Sequence, residues 1–226
     1  MGTLSAIFFF LTQHSLLALP LYPLALLAIG WLLARLTGWN VWLFLGVPGL
    51  ALGAISPFFA SAANAAFLNA AGITGSAVIV HAEETSSTLN DSPIWYYEAV
   101  VRTAGGRDVE TSFDTMSASI YPWRNEILIP PEGERFAVKY VPGYPRNIAI
   151  MVEQSPYGRK RRIAGERQPV ETAAAKVAAS PGNAQFRAQY RAALITFLAQ
   201  HGADADAAVV GDYRARLAGL GTDAVR

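Results

Sequence analysis

Apolar positions run almost without a break from Leu4 to Ala71. They then give way to short alternating runs, and finally to stripes at helical spacing. Met1 to Ala82 holds one charged residue, Arg35, while the remaining 144 residues hold the other 34. A stretch that long and that poor in charge reads as a membrane anchor, residues 1–71. A single helix from Leu4 to Leu36 would be about 50 Å long, well beyond a hydrocarbon core of about 30 Å. The run is therefore divided. Residues 4–19 form a helix in the interface or against the other helices, and spans cover about 20–36 and 41–60. An Ala-rich extension carries the second span to residue 71. Pro20 suits a helix start, where its missing N–H would be unpaired anyway. Gly38 suits a left-handed stop, and Asn40 can cap the next helix. Trp31, Trp39 and Trp42 cluster at this turn, as at a water–lipid boundary.

From Ile73 the period shortens. Ser76–Val80, Trp95–Arg102, Val109–Phe113, Glu126–Ile129, Arg135–Tyr140 and Ile148–Val152 read as strands. Phe136, Val138 and Tyr140 alternate with Arg135, Ala137 and Lys139, which gives one wet face. Ala104-Gly105-Gly106-Arg107 predicts a hairpin with a primed turn. Residues 72–152 are thus expected to form a small antiparallel β sheet or barrel. Residues 153–168 read as a basic linker containing Arg159, Lys160, Arg161 and Arg162. Residues 169–226 read as a C-terminal helical hairpin. Asn183 caps its main helix, Phe186, Tyr190 and Phe197 lie on an apolar stripe, and Val209, Tyr213, Leu217 and Leu220 recur on the last helix. The expected fold class is an α+β membrane protein with an N-terminal transmembrane helical hairpin.

Pro131-Glu-Gly-Glu-Arg-Phe-Ala-Val-Lys-Tyr-Val-Pro-Gly-Tyr-Pro-Arg-Asn-Ile-Ala, with the Tyr96–Arg102 strand and its Gly-Gly hairpin, resembles the bacterial domain-of-unknown-function family 3592. The likeness spans Gly72 to Met151. Val138, Tyr140, Pro142 and Pro145 match the family's V-x-Y-x-P-x-x-P signature. The resemblance implies a β domain paired with membrane helices, and it brings no catalytic residues. Both candidate spans here precede the domain, whereas the family's commonest layout has one on each side. Read from the residues alone, Pro142-Gly143-Tyr144-Pro145 is a rigid turn on which Tyr140 and Tyr144 stack. An aromatic-proline binding groove is the functional alternative.

Composition narrows the chemistry. Hydrophobic residues make up 52% of the chain and charged residues 15%, with no cysteine. Disulfides, thiolate metal sites and a Cys nucleophile are excluded. Residues 72–152 hold 6 basic and 10 acidic side chains, which argues against a nucleic-acid partner. The N-terminus has no basic residue before its apolar run, so a retained anchor is expected rather than a signal peptide. No P-loop, G-x-G-x-x-G or G-x-S-x-G element occurs. His14 is an ionisable group in the apolar block with no carboxylate near it in sequence. His81 and Glu83 share one strand face but lack further ligands. No catalytic, cofactor or metal site is expected, and no enzyme. Gly46, Gly49 and Gly53 form a small-residue helix-packing face, either within the hairpin, against Ala25 and Ala28, or in a homodimer. Arg159–Arg162 are candidate lipid-headgroup contacts. Tyr140, Pro142, Tyr144, Pro145, Phe186, Tyr190 and Phe197 are candidate protein contacts. Arg35 beside the turn places that turn in the cytoplasm, with the β domain and tail in the periplasm of a bacterial inner membrane. The expected role is an interaction or scaffold protein of the envelope with membrane lipid and a protein as partners. A toxin-neutralising immunity protein is the alternative.

Overall fold

The computed structural model describes residues 1–124 and 126–222. The chain divides into two compact units, Met1–Tyr157 and Gly158–Arg226. The first joins the apolar helices and the sheet, which the sequence reading separates into two domains.

Helix α1 covers Gly2–Gln13 and ends at His14, which leaves helical geometry. A short 3-10 turn, Ser15–Leu17, leads into α2, Ala18–Thr37. The break therefore falls at His14, six residues before the expected start at Pro20, and Pro20 occupies the first turn of α2. Gly38 stops α2 in the left-handed region at φ 77°. Asn40 does not cap: it opens a 3-10 segment, Asn40–Leu45, that has no side-chain cap bond. Helix α3 then runs Gly46–Ala71. A side-chain carbon on Gly46 would meet the Leu27 side chain at 2.8 Å, one on Gly49 would meet Pro23 Cα at 2.6 Å, and one on Gly53 would meet the Ala18 carbonyl at 2.9 Å. The partner positions fall as the glycine positions rise, so α2 and α3 are antiparallel and the glycines let their backbones touch. Two helical stretches, Ser15–Thr37 and Asn40–Ala71, are long and apolar enough to cross a membrane by length and composition.

The sheet has six strands: β1 Ile73–Leu89, β2 Ser92–Arg102, β3 Asp108–Asp114, β4 Ile120–Tyr121, β5 Arg135–Val141 and β6 Tyr144–Met151. Their spatial order is β3-β2-β1-β5-β6-β4. The sheet is open rather than a barrel. It is also mixed rather than purely antiparallel, because β4 pairs with β6 in parallel. Ala77, Ile79, Ala99, Val101, Phe113, Phe136, Val138, Tyr140, Ile148 and Ile150 form its core.

Local chemistry explains where the strands depart from expectation. β1 and β2 continue outward as a ribbon closed by Asn90 (φ 49°) and Asp91 (φ 60°), the two-residue, doubly left-handed loop that matches strand twist. The two-residue primed turn is therefore at Asn90-Asp91 and not at Ala104–Arg107, where it is expected from the sequence. At the second hairpin only Gly106 takes positive φ (78°), following a turn in which the Gly106 N–H donates to the Thr103 carbonyl (2.9 Å). A bulge at Val80 shifts the phase of β1, so Ala82 rather than His81 packs on the core. Glu126–Ile129 is not a strand. Leu128 is buried and its carbonyl accepts from the Tyr157 hydroxyl (2.8 Å), while the β6 edge is taken by β4.

In the second unit, residues read as a linker form helix α4, Pro156–Gly165, and a bundle replaces the expected hairpin. It comprises α4, α5 Gln168–Ala179, α6 Ala184–His201 and α7 Ala207–Thr222. Ile163, Val170, Ala173, Tyr190, Leu194, Phe197 and Tyr213 form one core across these helices. Asn183 caps α6 by accepting from the backbone N–H groups of Gln185 (2.9 Å) and Phe186 (3.2 Å).

Candidate functional site

The densest polar arrangement lies where the apolar helices meet the sheet. Between β5 and β6 the register runs from Tyr140↔Ile148 to Val141↔Tyr144, so three residues of β6, Pro145 to Asn147, have no β5 partner. The bulge turns Asn147 inward until it is 1% exposed. Its amide nitrogen donates to the Asn64 side-chain oxygen (2.8 Å) and to the Ser5 carbonyl and hydroxyl (3.0 Å each). Asn64, on α3, donates back to Asn147 Oδ1 (2.7 Å) and to the Ser119 hydroxyl (2.8 Å). One residue from α1, one from α3, one from β6 and one from the segment before β4 are thereby held together. The adjoining Arg146 carbonyl accepts from the Thr111 hydroxyl on β3 (2.6 Å), and Gln13 reaches the Ser112 carbonyl (2.8 Å). Beside this joint a space of about 10 Å³, lined by Thr12, Asn64, Ser117 and Asn147 among others, has room for about one water. Lys139 clamps the end of α3 from the sheet, donating to the Asn69 carbonyl (2.6 Å) and side-chain oxygen (2.9 Å). A cation there also suits the negative end of the helix.

Amides and hydroxyls of this kind do not titrate near neutral pH, and none is activated by a neighbouring base. The joint therefore holds elements together rather than supplying a nucleophile. Buried polar groups in mutual bonds fix one geometry, because any other leaves them unpaired.

The sequence-predicted residues are placed as follows. Tyr140 is 2% exposed in the sheet core, and its hydroxyl accepts from the Ala104 N–H (2.7 Å). Tyr144 meets Phe9 of α1 edge to face at 5.7 Å. The two tyrosines do not stack on the Pro142-Gly143 turn. That turn is instead approached by Gly2, where an added carbon would lie 3.1 Å from the Gly143 carbonyl. Pro142 is exposed and Pro145 half-buried. Tyr190 and Phe197 are buried in the tail core, and Phe186 is half-buried. Gly46, Gly49 and Gly53 are buried against α2, on Leu27, Pro23 and Ala18 rather than on Ala25 and Ala28. Arg159, Lys160, Arg161 and Arg162 are all exposed on α4. His14 is exposed at the helix break, its ring 4.8 Å from that of Phe10. His81 faces Glu83 at 3.5 Å, both well exposed. Among the described residues no group of three or more His, Cys, Asp or Glu is placed to hold a metal.

Sequence reasoning missed Ser5, Asn64, Ser119 and Asn147 as a group. It also missed His201, which is 6% exposed at the end of α6 and ion-paired with Glu166. Beside it in the tail, an open cleft of about 390 Å³ runs between α4 and the start of α7, with Ile163, Phe197 and Val209 as its floor. Comparison with known proteins finds no family model, no curated protein and no solved structure that matches this chain.

Proposed function

We propose that the chain is a non-enzymatic integral protein of the bacterial inner membrane whose β domain and helical tail form an interaction module. The observation that carries the reading is the pairing of two faces. Outward, α2 and α3 expose Leu24, Ile29, Leu32, Leu50, Ile55, Phe58 and Phe59, a coat suited to lipid. Inward, the Asn64–Asn147 joint fixes the sheet on those helices through uncharged groups. Such a build presents a domain at a set attitude to a membrane and gives it no reaction to perform. The resemblance of residues 72–151 to family 3592 implies a β domain paired with membrane helices in a bacterium, with the difference that both spans here precede the domain. Trp31, Trp39 and Trp42 gather at the α2–α3 turn. Arg35 lies 5.2 Å over the Trp31 ring, and the Trp42 indole donates to the Thr37 hydroxyl (3.0 Å). These are boundary contacts, and the single cation directs that turn to the cytoplasm and the sheet and tail to the periplasm.

The test is a comparison of two sets of variants for the chain's cellular phenotype. Removing residues after Tyr157 is expected to abolish it with the anchored part still folded, whereas His14→Ala with His81→Ala is expected to leave it intact. Loss with the histidine changes and tolerance of the truncation would reverse the assignment.

A further inference from the structure

Charge is divided unequally between the two units. Gly158–Arg226 carries 11 Lys and Arg against 6 Asp and Glu, a net +5, while Met1–Tyr157 carries 7 against 11, a net −4. Their sum is the chain's +1. The excess is concentrated on α4, whose ten residues hold Arg159, Lys160, Arg161 and Arg162 and no acid. All four side chains are exposed, between the buried Gly158 and the buried Ile163. The next acid in sequence, Glu166, is taken up by His201 and Arg162.

We infer that α4 is a docking surface for anionic lipid headgroups, so that the tail rests on the bilayer that anchors the chain. The inference rests on the membrane reading above, since an anchored tail meets headgroups at a high effective concentration. One observation favours lipid over nucleic acid. The tail's aromatics Tyr190, Phe197 and Tyr213 are buried, so no stacking platform for bases is available from them. Phosphatidylglycerol-type headgroups need only clustered cations, and each contributes about fivefold to partitioning near the surface. Loss of all four should lower the ratio of docked to free tail by roughly several hundredfold.

The chain has no cysteine, so Ala164→Cys on exposed α4 gives a single labelling point. The labelled full chain is placed in vesicles of phosphatidylcholine alone or doped with phosphatidylglycerol, and quenching by a headgroup-attached quencher is read. The expected result is quenching that rises with phosphatidylglycerol and falls in high salt. It should vanish when Arg159, Lys160, Arg161 and Arg162 are all changed to Gln, and survive when the three arginines become Lys. Equal quenching in neutral and anionic vesicles, or no loss in the Gln variant while far-UV circular dichroism shows it folded, overturns the inference. So does protection of the label by RNA or an acidic polypeptide where phosphatidylglycerol has no effect. Flotation with the neutral vesicles reports anchoring separately. A chain that does not float refutes the membrane reading, whereas one that floats with an indifferent α4 refutes only the docking.

Discussion

At the scale of single residues, the joint depends on reciprocity. Asn64 and Asn147 each satisfy the other, and Asn147 also serves Ser5. Asn147→Leu should leave the buried Asn64 amide short of its partner and cost about 1–3 kcal/mol. Asn64→Leu should cost a similar amount. The double variant should cost clearly less than the sum, because the second change removes the group that the first left unpaired. Thermal unfolding in detergent provides the cycle, and simple additivity would show that the two amides act independently. In the tail, Tyr213 accepts from Arg167 Nε (3.2 Å) and donates to Glu171 Oε1 (2.9 Å). Burial pushes its phenol above the ordinary value of 10.0, an effect the Arg167 bond opposes and the Glu171 bond reinforces. The folded tail therefore favours the neutral phenol. Its stabilisation is complete below the unfolded value and is lost as pH rises through the raised one. Protease susceptibility of the tail should increase over the interval above pH about 10. In Tyr213→Phe the tail should be less stable throughout but show a shallower slope over that interval.

Elements show how far local chemistry determines the fold. Gly38 as a left-handed stop and Asn183 as a cap were legible because each is a one-residue demand on the backbone. The apolar helices were legible because charge is missing from them. The Asn90-Asp91 ribbon was not, since Thr85–Leu89 lacks the apolar alternation that marks a half-buried strand. Its pairing rests on backbone bonds and turn geometry. Glu126–Ile129 was over-read for the converse reason: it has strand composition, but the neighbouring edge is already occupied by β4. The joint was invisible because its members are brought together only by the fold, Asn64 and Asn147 lying 83 positions apart and Ser5 and Asn147 lying 142. Only isolated polar residues in an apolar run, Ser5 and Asn64, gave a hint. The glycines make opposite predictions according to their surroundings. Gly49→Ala places a methyl 2.6 Å from the Pro23 backbone, so α2 and α3 must part, and a loss of about 1–3 kcal/mol is expected. Gly211→Ala in α7 meets nothing within 4 Å and should stabilise the tail by about 0.5–1 kcal/mol. Melting curves of the two variants should shift in opposite directions.

For the whole molecule, the lengths of the helices constrain where a bilayer can lie. The stretch Asn40–Ala71 has 32 residues, about 48 Å if helical, against a hydrocarbon core of about 30 Å. The surplus is about twelve residues. It falls naturally at the end that carries Asn64, Ala65, Leu68 and Asn69, all engaged with the sheet or its flank. α1 lies beside that same end, since Phe8 stacks on Phe67 at 4.9 Å. A bilayer spanning α2 and the first part of α3 therefore leaves α1, the joint and the sheet together on one side. The Trp-rich turn with Arg35 is left on the other. Reporter fusions after Val152 and at Arg226 should then give the same answer as each other and the opposite answer to a fusion within the Thr37–Asn40 turn. A periplasmic signal at the first two is expected from the position of Arg35. A cytoplasmic signal at both would reverse the orientation while keeping the hairpin, and would put α4 on the leaflet whose anionic lipids attract polybasic segments most strongly. Opposite signals at Val152 and Arg226 would require a further crossing. The tail helices, with Arg187 and Arg191 on α6 and Arg214 and Arg216 on α7, are not built for one.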